Sequence, residues 1–207
     1  SSRSGLDYNK YDNYILGWCV YCNEEMGVNI DPSYIKSMMY QESRMGYGDD
    51  NHVPTNNPER DVMQALDVKN TNIYNYIGIE ITKFQAKTFL NGFQTCKWIW
   101  EQNGKNGVPG SPMKERQNRC GGIVRSLFKS EADGSGHSYT EGDSEMYYFM
   151  HEDVTPIMSI AIATDTLGEL LEKYNGDYGE ALREYNSKAS YASEVMNRVA
   201  ESDFVGD

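Results

Sequence analysis

Asp31-Pro32-Ser33-Tyr34-Ile35-Lys36-Ser37-Met38-Met39-Tyr40-Gln41-Glu42-Ser43-Arg44 is the stretch on which the reading of this chain turns. Asp before Pro is a strong helix start. The Asp side chain caps free N–H groups, and Pro fits the first helical position, where its missing N–H costs nothing. The spacing predicts a helix from about Pro32 to Met45, with Ile35, Met38 and Met39 on its apolar face and Glu42 next along that face. A carboxylate there lies against apolar neighbours and at the negative end of the helix. Both disfavour its charge, so its pKa should rise. That is the preparation a general acid needs near neutral pH. The plainer reading is a helix-end Glu in solvent or paired with Arg44, and periodicity alone does not favour the acid.

The flanking sequence reads as further helices. Upstream, Tyr11, Tyr14, Ile15, Trp18, Cys19 and Cys22 recur at helical intervals over residues 9–28, and Gly27 closes that run. Residues 46–62 are rich in Gly, Pro, Asn and Asp and read as a long loop. Residues 72–102 are apolar and aromatic, one or two helices, and Met113 to Lys129 is another candidate; 131–144 is a polar loop. Pro156 opens a helix to about Tyr174, which Asn175-Gly176 ends. Shorter helices follow over Tyr178–Tyr185 and about Ser190–Glu201. With no internal repeat and no convincing alternating run, the expected class is all-α, with at most a small hairpin in the loops.

The 207 residues suit one domain, or one domain carrying a large insertion. The formal net charge of −12 and the scattered Lys and Arg leave no basic stripe, which excludes nucleic acid as a partner. No apolar run approaches the roughly 20 residues that span a bilayer, so no membrane insertion is expected. The chain begins Ser-Ser-Arg-Ser-Gly without an initiator Met, which reads as a piece of something longer. Four cysteines (Cys19, Cys22, Cys96, Cys120) suit disulfides in an extracellular protein, with three possible pairings. Cys19-Val-Tyr-Cys22 lacks the second half of a zinc site, and His52, His137 and His151 show no ligand spacing. No metal or cofactor is expected. The 16 tyrosines suit sugar grooves or ordinary packing.

Tyr40-Gln41-Glu42-Ser43-Arg44 resembles the Glu-Ser motif of soluble lytic transglycosylases and goose-type lysozymes, within the lysozyme-like superfamily. Asp61-Val62-Met63-Gln64 is similar to that family's Gly-Leu-Met-Gln motif, in the version closest to wall hydrolases of Gram-positive conjugative elements. Ser159-Ile160 resembles its Ser/Asn-Ile helix. Tyr174-Asn175-Gly176-Asp177 and Ala181-Leu182-Arg183-Glu184-Tyr185-Asn186 resemble its Tyr-x-Gly and Ala-Leu-x-x-Tyr-Asn signature. Four motifs in one order are far more specific than a bare Glu-Ser.

The resemblance implies a lysozyme-like helical domain over 1–69 and 157–207, with 70–156 as a large, mainly helical insertion. It implies a secreted or wall-associated peptidoglycan lytic transglycosylase, with Glu42 as catalytic acid and then base. By the same carry-over, Gln64 lines the sugar groove, Tyr185 reaches the catalytic carboxyl through its hydroxyl, and Asn186 supports that wall. Ser43 contacts the sugar or anchors the helix end. A hydrolytic muramidase is the alternative; it needs a second carboxylate, for which Asp49, Asp50, Glu59 and Asp61 are candidates. A non-catalytic glycan-binding scaffold is the other. The chain departs from the family in the length of residues 70–156 and in Ala65-Leu66-Asp67 after the Met-Gln. The insertion holds Cys96 and Cys120, a natural bridge. Its aromatics (Phe93, Trp98, Trp100, Tyr147, Tyr148, Phe149) extend the groove, meet a protein partner, or pack internally.

Overall fold

The computed structural model describes residues 5–48, 61–65, 80–82, 128–129, 147–150 and 155–201. Five helices dominate: α1 (Asp12–Met26), α2 (Pro32–Ser43), α3 (Thr155–Lys173), α4 (Tyr178–Tyr185) and α5 (Tyr191–Ala200). Together they make an all-helical unit. Three short strands, β1 (Glu80–Thr82), β2 (Phe128–Lys129) and β3 (Tyr147–Met150), form an antiparallel sheet in the order β1-β3-β2. Glu80 pairs with Phe149, and Phe128 with Met150.

Local chemistry sets the helix ends. Asp31 caps α2 by accepting from the Ser33 N–H at 2.9 Å, with Pro32 in the first turn. Gly27 ends α1 in the left-handed conformation (φ 67°), which a residue without Cβ adopts freely. Asn23 then clasps the linker: it accepts from the Ile30 N–H at 2.7 Å and donates to the Ile30 carbonyl at 3.2 Å. Asn175 and Gly176 are both left-handed, and the Gly176 N–H reaches back to the Leu171 carbonyl at 2.8 Å, closing α3. Asp177 caps α4 through the Glu180 N–H at 3.1 Å. The helix α2 stops two residues before the predicted Met45, because Arg44 and Met45 both turn left-handed (φ 52° and 58°).

The core lies where α1 packs on α3 and α2 packs on α5, with α4 joining α3 to α5. Trp18, Ile35, Met38, Met39, Met158, Ile160, Leu167 and Leu182 are fully enclosed there. Val62 and Met63 join the same core, so the short 61–65 segment is built into the helical unit. Each large buried side chain adds roughly 1.5–3 kcal/mol of apolar burial. Ser37 ties α2 to α5 by donating to the Val195 carbonyl at 2.9 Å.

Four expectations are corrected. The chain is not all-α throughout, since residues 80–82, 128–129 and 147–150 pair as strands. Phe128 and Lys129, expected at the end of a helix from Met113, are strand; the expected helical insertion otherwise lies largely outside the described residues. The term lysozyme-like also fails as a description of the fold. The architecture is helical without being specific to that superfamily. Cys19 and Cys22 are buried free thiols, so neither takes part in the expected disulfides. Cys96, Cys120, Phe93, Trp98 and Trp100 lie outside the described residues.

Candidate functional site

Glu42 stands in the last turn of α2, half-buried. Burial pushes its carboxyl up to about 7; the Tyr191 hydroxyl beside it pulls the other way, and the charge on Asp61 adds to the rise. Water is too scarce around the group to stabilise its charge fully, so the acid form survives to near neutral pH. No ion pair joins Glu42 to Arg44 among the described residues. The site holds a carboxyl that can keep its proton to near neutral pH.

Tyr191 opens α5 and is 3% exposed. Its hydroxyl is buried and completes no hydrogen bond of good geometry among the described residues, so the Glu42 carboxyl is the group it is placed to answer. Tyr185, at the end of α4, stacks on Tyr191 with ring centroids 6.0 Å apart and planes 21° from parallel. Burial raises both phenols, and the charge of Glu42 adds to each. Neither ionises near neutral pH; both can donate.

The segment 61–65 lies close enough for the Asp61 charge to act on Glu42. Asp61 is 1% exposed, and its Oδ1 accepts from the Ser159 hydroxyl at 2.7 Å and the Ala65 N–H at 3.0 Å. Ser159 Oγ in turn accepts from the Met63 N–H at 2.9 Å. This network ties the segment to α3 with the polar atoms satisfied, as burial requires. Gln64 is left-handed (φ 49°) and half-buried, and its side-chain amide donates to the Asp61 carbonyl at 2.8 Å. Of the two roles expected for Ser43, the hydroxyl performs the anchor. It is 4% exposed, donates to the Val62 carbonyl at 2.5 Å and accepts from the Gly46 N–H at 2.8 Å.

The structure thus brings Glu42, Ser43, Asp61 and Tyr185 into one neighbourhood, with Gln64 in the same segment as Asp61. Asn186, half-buried, ends α4 and accepts from the Lys188 N–H at 3.0 Å, which shapes the turn after Tyr185. Sequence reasoning missed Tyr191. It falls within the last predicted helix, and no local pattern tells that α5 sets it against α2. Among the carboxylates weighed as a second catalytic group, Asp61 is enclosed and hydrogen-bonded, while Asp49, Asp50 and Glu59 lie outside the described residues. A groove of about 450 Å³ lies elsewhere, between the α1–α2 linker and the α3–α4 turn, lined by Val28, Asn29, Glu172 and Tyr178 among others. It shares no residue with the Glu42 site. Compared with protein-family models, curated proteins and solved structures, the chain matches none of them.

Proposed function

We propose that this protein cleaves the MurNAc-GlcNAc β-1,4 bond of peptidoglycan as a lytic transglycosylase, with Glu42 as the acid. The observation that carries the reading is the Glu42 carboxyl, held protonated to about pH 7 at a helix end beside the buried Tyr191 hydroxyl. The order of the Glu-Ser, Met-Gln, Tyr-x-Gly and Ala-Leu-x-x-Tyr-Asn motifs supports kinship with the soluble lytic transglycosylases. Glu42 gives its proton to the glycosidic oxygen as the C1–O4 bond breaks. The resulting carboxylate takes the proton of the muramoyl C6 hydroxyl while O6 closes on C1. The product is a 1,6-anhydro end, no water is consumed, and Glu42 is protonated again.

Hydrolysis is the second reading, and one observation weighs against it. An inverting hydrolase needs a second carboxylate open to water, and a retaining one needs a carboxylate that can reach C1. Asp61 is the carboxylate that acts on Glu42, yet it is enclosed and bonded to Ser159 and Ala65. Its charge serves to raise the Glu42 pKa. A glycan-binding scaffold without activity gains nothing from a protonated carboxyl among tyrosines. Because peptidoglycan lies outside the cytoplasm, this reading carries secretion or wall association with it. Purified wall incubated with the unmutated protein should release soluble muropeptides, and Glu42→Gln should release none. Equal release by both would remove Glu42 from the chemistry.

A further inference from the structure

We infer that Arg198 is a positioning residue for the proposed reaction: by clasping α5 to α2 it sets the Tyr191 hydroxyl against the Glu42 carboxyl. The inference rests on the reading of Glu42 as the acid. Tyr191, Glu194, Val195 and Arg198 recur at helical intervals, so they share one face of α5. That face meets α2 turn by turn. Tyr191 stands beside Glu42, and Gln41 Nε2 donates to Glu194 Oε2 at 2.5 Å. The Ser37 hydroxyl donates to the Val195 carbonyl at 2.9 Å. Arg198 then reaches Ser37 and Gln41 together. Its Nη1 donates to the Ser37 carbonyl and to the Ser37 hydroxyl, each at 3.2 Å, and its Nη2 donates to Gln41 Oε1 at 2.9 Å. The guanidinium also lies over the Tyr40 ring, 4.5 Å from its centroid.

One planar group thus holds two successive turns of α2. Ser37 and Gln41 stand one turn apart, so a fork that engages both fixes α5 against sliding along α2 as well as against rolling on it. A lysine ammonium, a point donor on a flexible stem, cannot bridge the two in that geometry. Arg198 is half-buried, and burial disfavours its charge. The three acceptors on α2 and the Tyr40 face offset that cost. Arg44 on α2 opposes the charge of Arg198, while Glu194 and Glu201 favour it. At the other end of the same α5 face, the Tyr191 hydroxyl is buried, and the Glu42 carboxyl is the group beside it. Its place there follows from the register of α5 on α2. The groups that act on Glu42 directly are Tyr191 and Asp61, and Tyr185 faces it from α4. Of these only Tyr191 lies on α5. Arg198 therefore acts on the acid through Tyr191.

The test reads the Glu42 carboxyl itself, by carbon NMR titration of protein carrying isotope-labelled glutamate, with Glu42→Gln assigning the resonance. In the unmutated protein the midpoint lies at about 7. Tyr191→Phe should raise it by about one pH unit, the scale of one hydrogen bond to a charged group. Arg198→Lys, which keeps the charge and loses the fork, should raise it by most of the same amount. With Tyr191→Phe already in place, Arg198→Lys should add nothing. Gln41→Met removes one acceptor of the fork, leaves the sequence of α5 untouched and should give a smaller rise; it decides the matter if the Arg198 variant does not fold. A midpoint unmoved by Gln41→Met and by any folded Arg198 variant overturns the inference, even where thermal melts show lost stability. So does a rise that persists in full when Tyr191→Phe is present. The titration needs no turnover, so the two readings separate. A raised midpoint in a protein whose unmutated form releases no muropeptide keeps the positioning role and sinks the enzyme reading. Wall cleavage with an unmoved midpoint does the reverse.

Discussion

The Ser43 hydroxyl, at the last turn of α2, donates to the Val62 carbonyl at 2.5 Å, and so the residue after the catalytic candidate ties the 61–65 segment to the end of α2. Through Met63 and Asp61 that segment is bonded in turn to Ser159 on α3. The position of Glu42 is therefore set by α2, by the 61–65 segment and by α5, three pieces far apart in the chain.

The pH dependence follows from the raised Glu42 pKa. In the proposed reaction the acid form is the active one, so wall-cleaving activity should fall as pH rises through about 7. Stability carries the same sign. The folded state holds the proton more tightly than the unfolded chain, so the Glu42 contribution becomes unfavourable between its ordinary pKa and about 7. Glu42→Gln should abolish activity and raise stability at pH 8 by about 2 kcal/mol, after allowance for partial exposure. Urea melts at pH 5 and pH 8 read the difference; an equal effect at both contradicts it.

Tyr191→Phe keeps the ring stacked on Tyr185 and removes the hydroxyl that favours the Glu42 carboxylate. The alkaline limb of the activity profile should move to higher pH while the fold is retained. A rate that drops without any shift of the limb would make Tyr191 a packing residue only.

Ser159→Ala removes the donor to the buried Asp61 carboxylate and the acceptor of the Met63 N–H. Leaving both buried groups without that partner should cost about 3 kcal/mol. In a double-mutant cycle with Asp61→Asn, the two losses should not add. Additive losses in thermal melts would show that the pair does not act as a unit.

Lys36 is 2% exposed, and its ammonium meets Asp12 at 2.8 Å and Asn9 at 2.5 Å. Asp12 still has a raised pKa, because burial outweighs what Lys36 returns. Asp12→Ala leaves a buried cation with one neutral partner and should cost about 3 kcal/mol. Adding Lys36→Met should recover about half of that loss. A double variant weaker than Asp12→Ala in chemical denaturation would show the pair to be net stabilising.

Cys19 and Cys22 should resist thiol reagents in the folded protein and react once it is denatured. Both are buried, and burial raises each thiol far above its ordinary pKa, which removes the reactive thiolate. Labelling located by peptide mass spectrometry under native and denaturing conditions reads this directly, and native labelling at either cysteine contradicts it.

What the sequence made legible is what local chemistry decides. Asp31-Pro32, Gly27 and Asn175-Gly176 set helix ends through their own backbone preferences, and the structure places the ends there. The stop at Arg44 was harder, because a non-Gly residue turning left-handed is an exception that Ser43 and its bonds to the following turn impose. The strands were not legible. Phe128-Lys129 pairs with a segment some twenty residues later, and β-pairing at such distances has no local signature. Tyr147-Tyr148-Phe149-Met150 carries aromatic strand propensity, yet four residues cannot be told from a core run. The spacing that set Glu42 after Ile35, Met38 and Met39 matches its half-buried place in the last turn of α2. Tyr191 and the enclosure of Asp61 depend on how α5 and α3 pack, and only the assembled fold brings them together.

The most direct test of the central claim is mass spectrometry of the products released from purified peptidoglycan by the unmutated protein and by Glu42→Gln. The account predicts muropeptides ending in 1,6-anhydro-muramic acid, lighter than their hydrolytic counterparts by one water, from the unmutated protein alone. Reducing-end muramic acid in their place would contradict the transglycosylase step and require a second carboxylate. No released muropeptide from either protein would contradict the glycan-cleaving function itself.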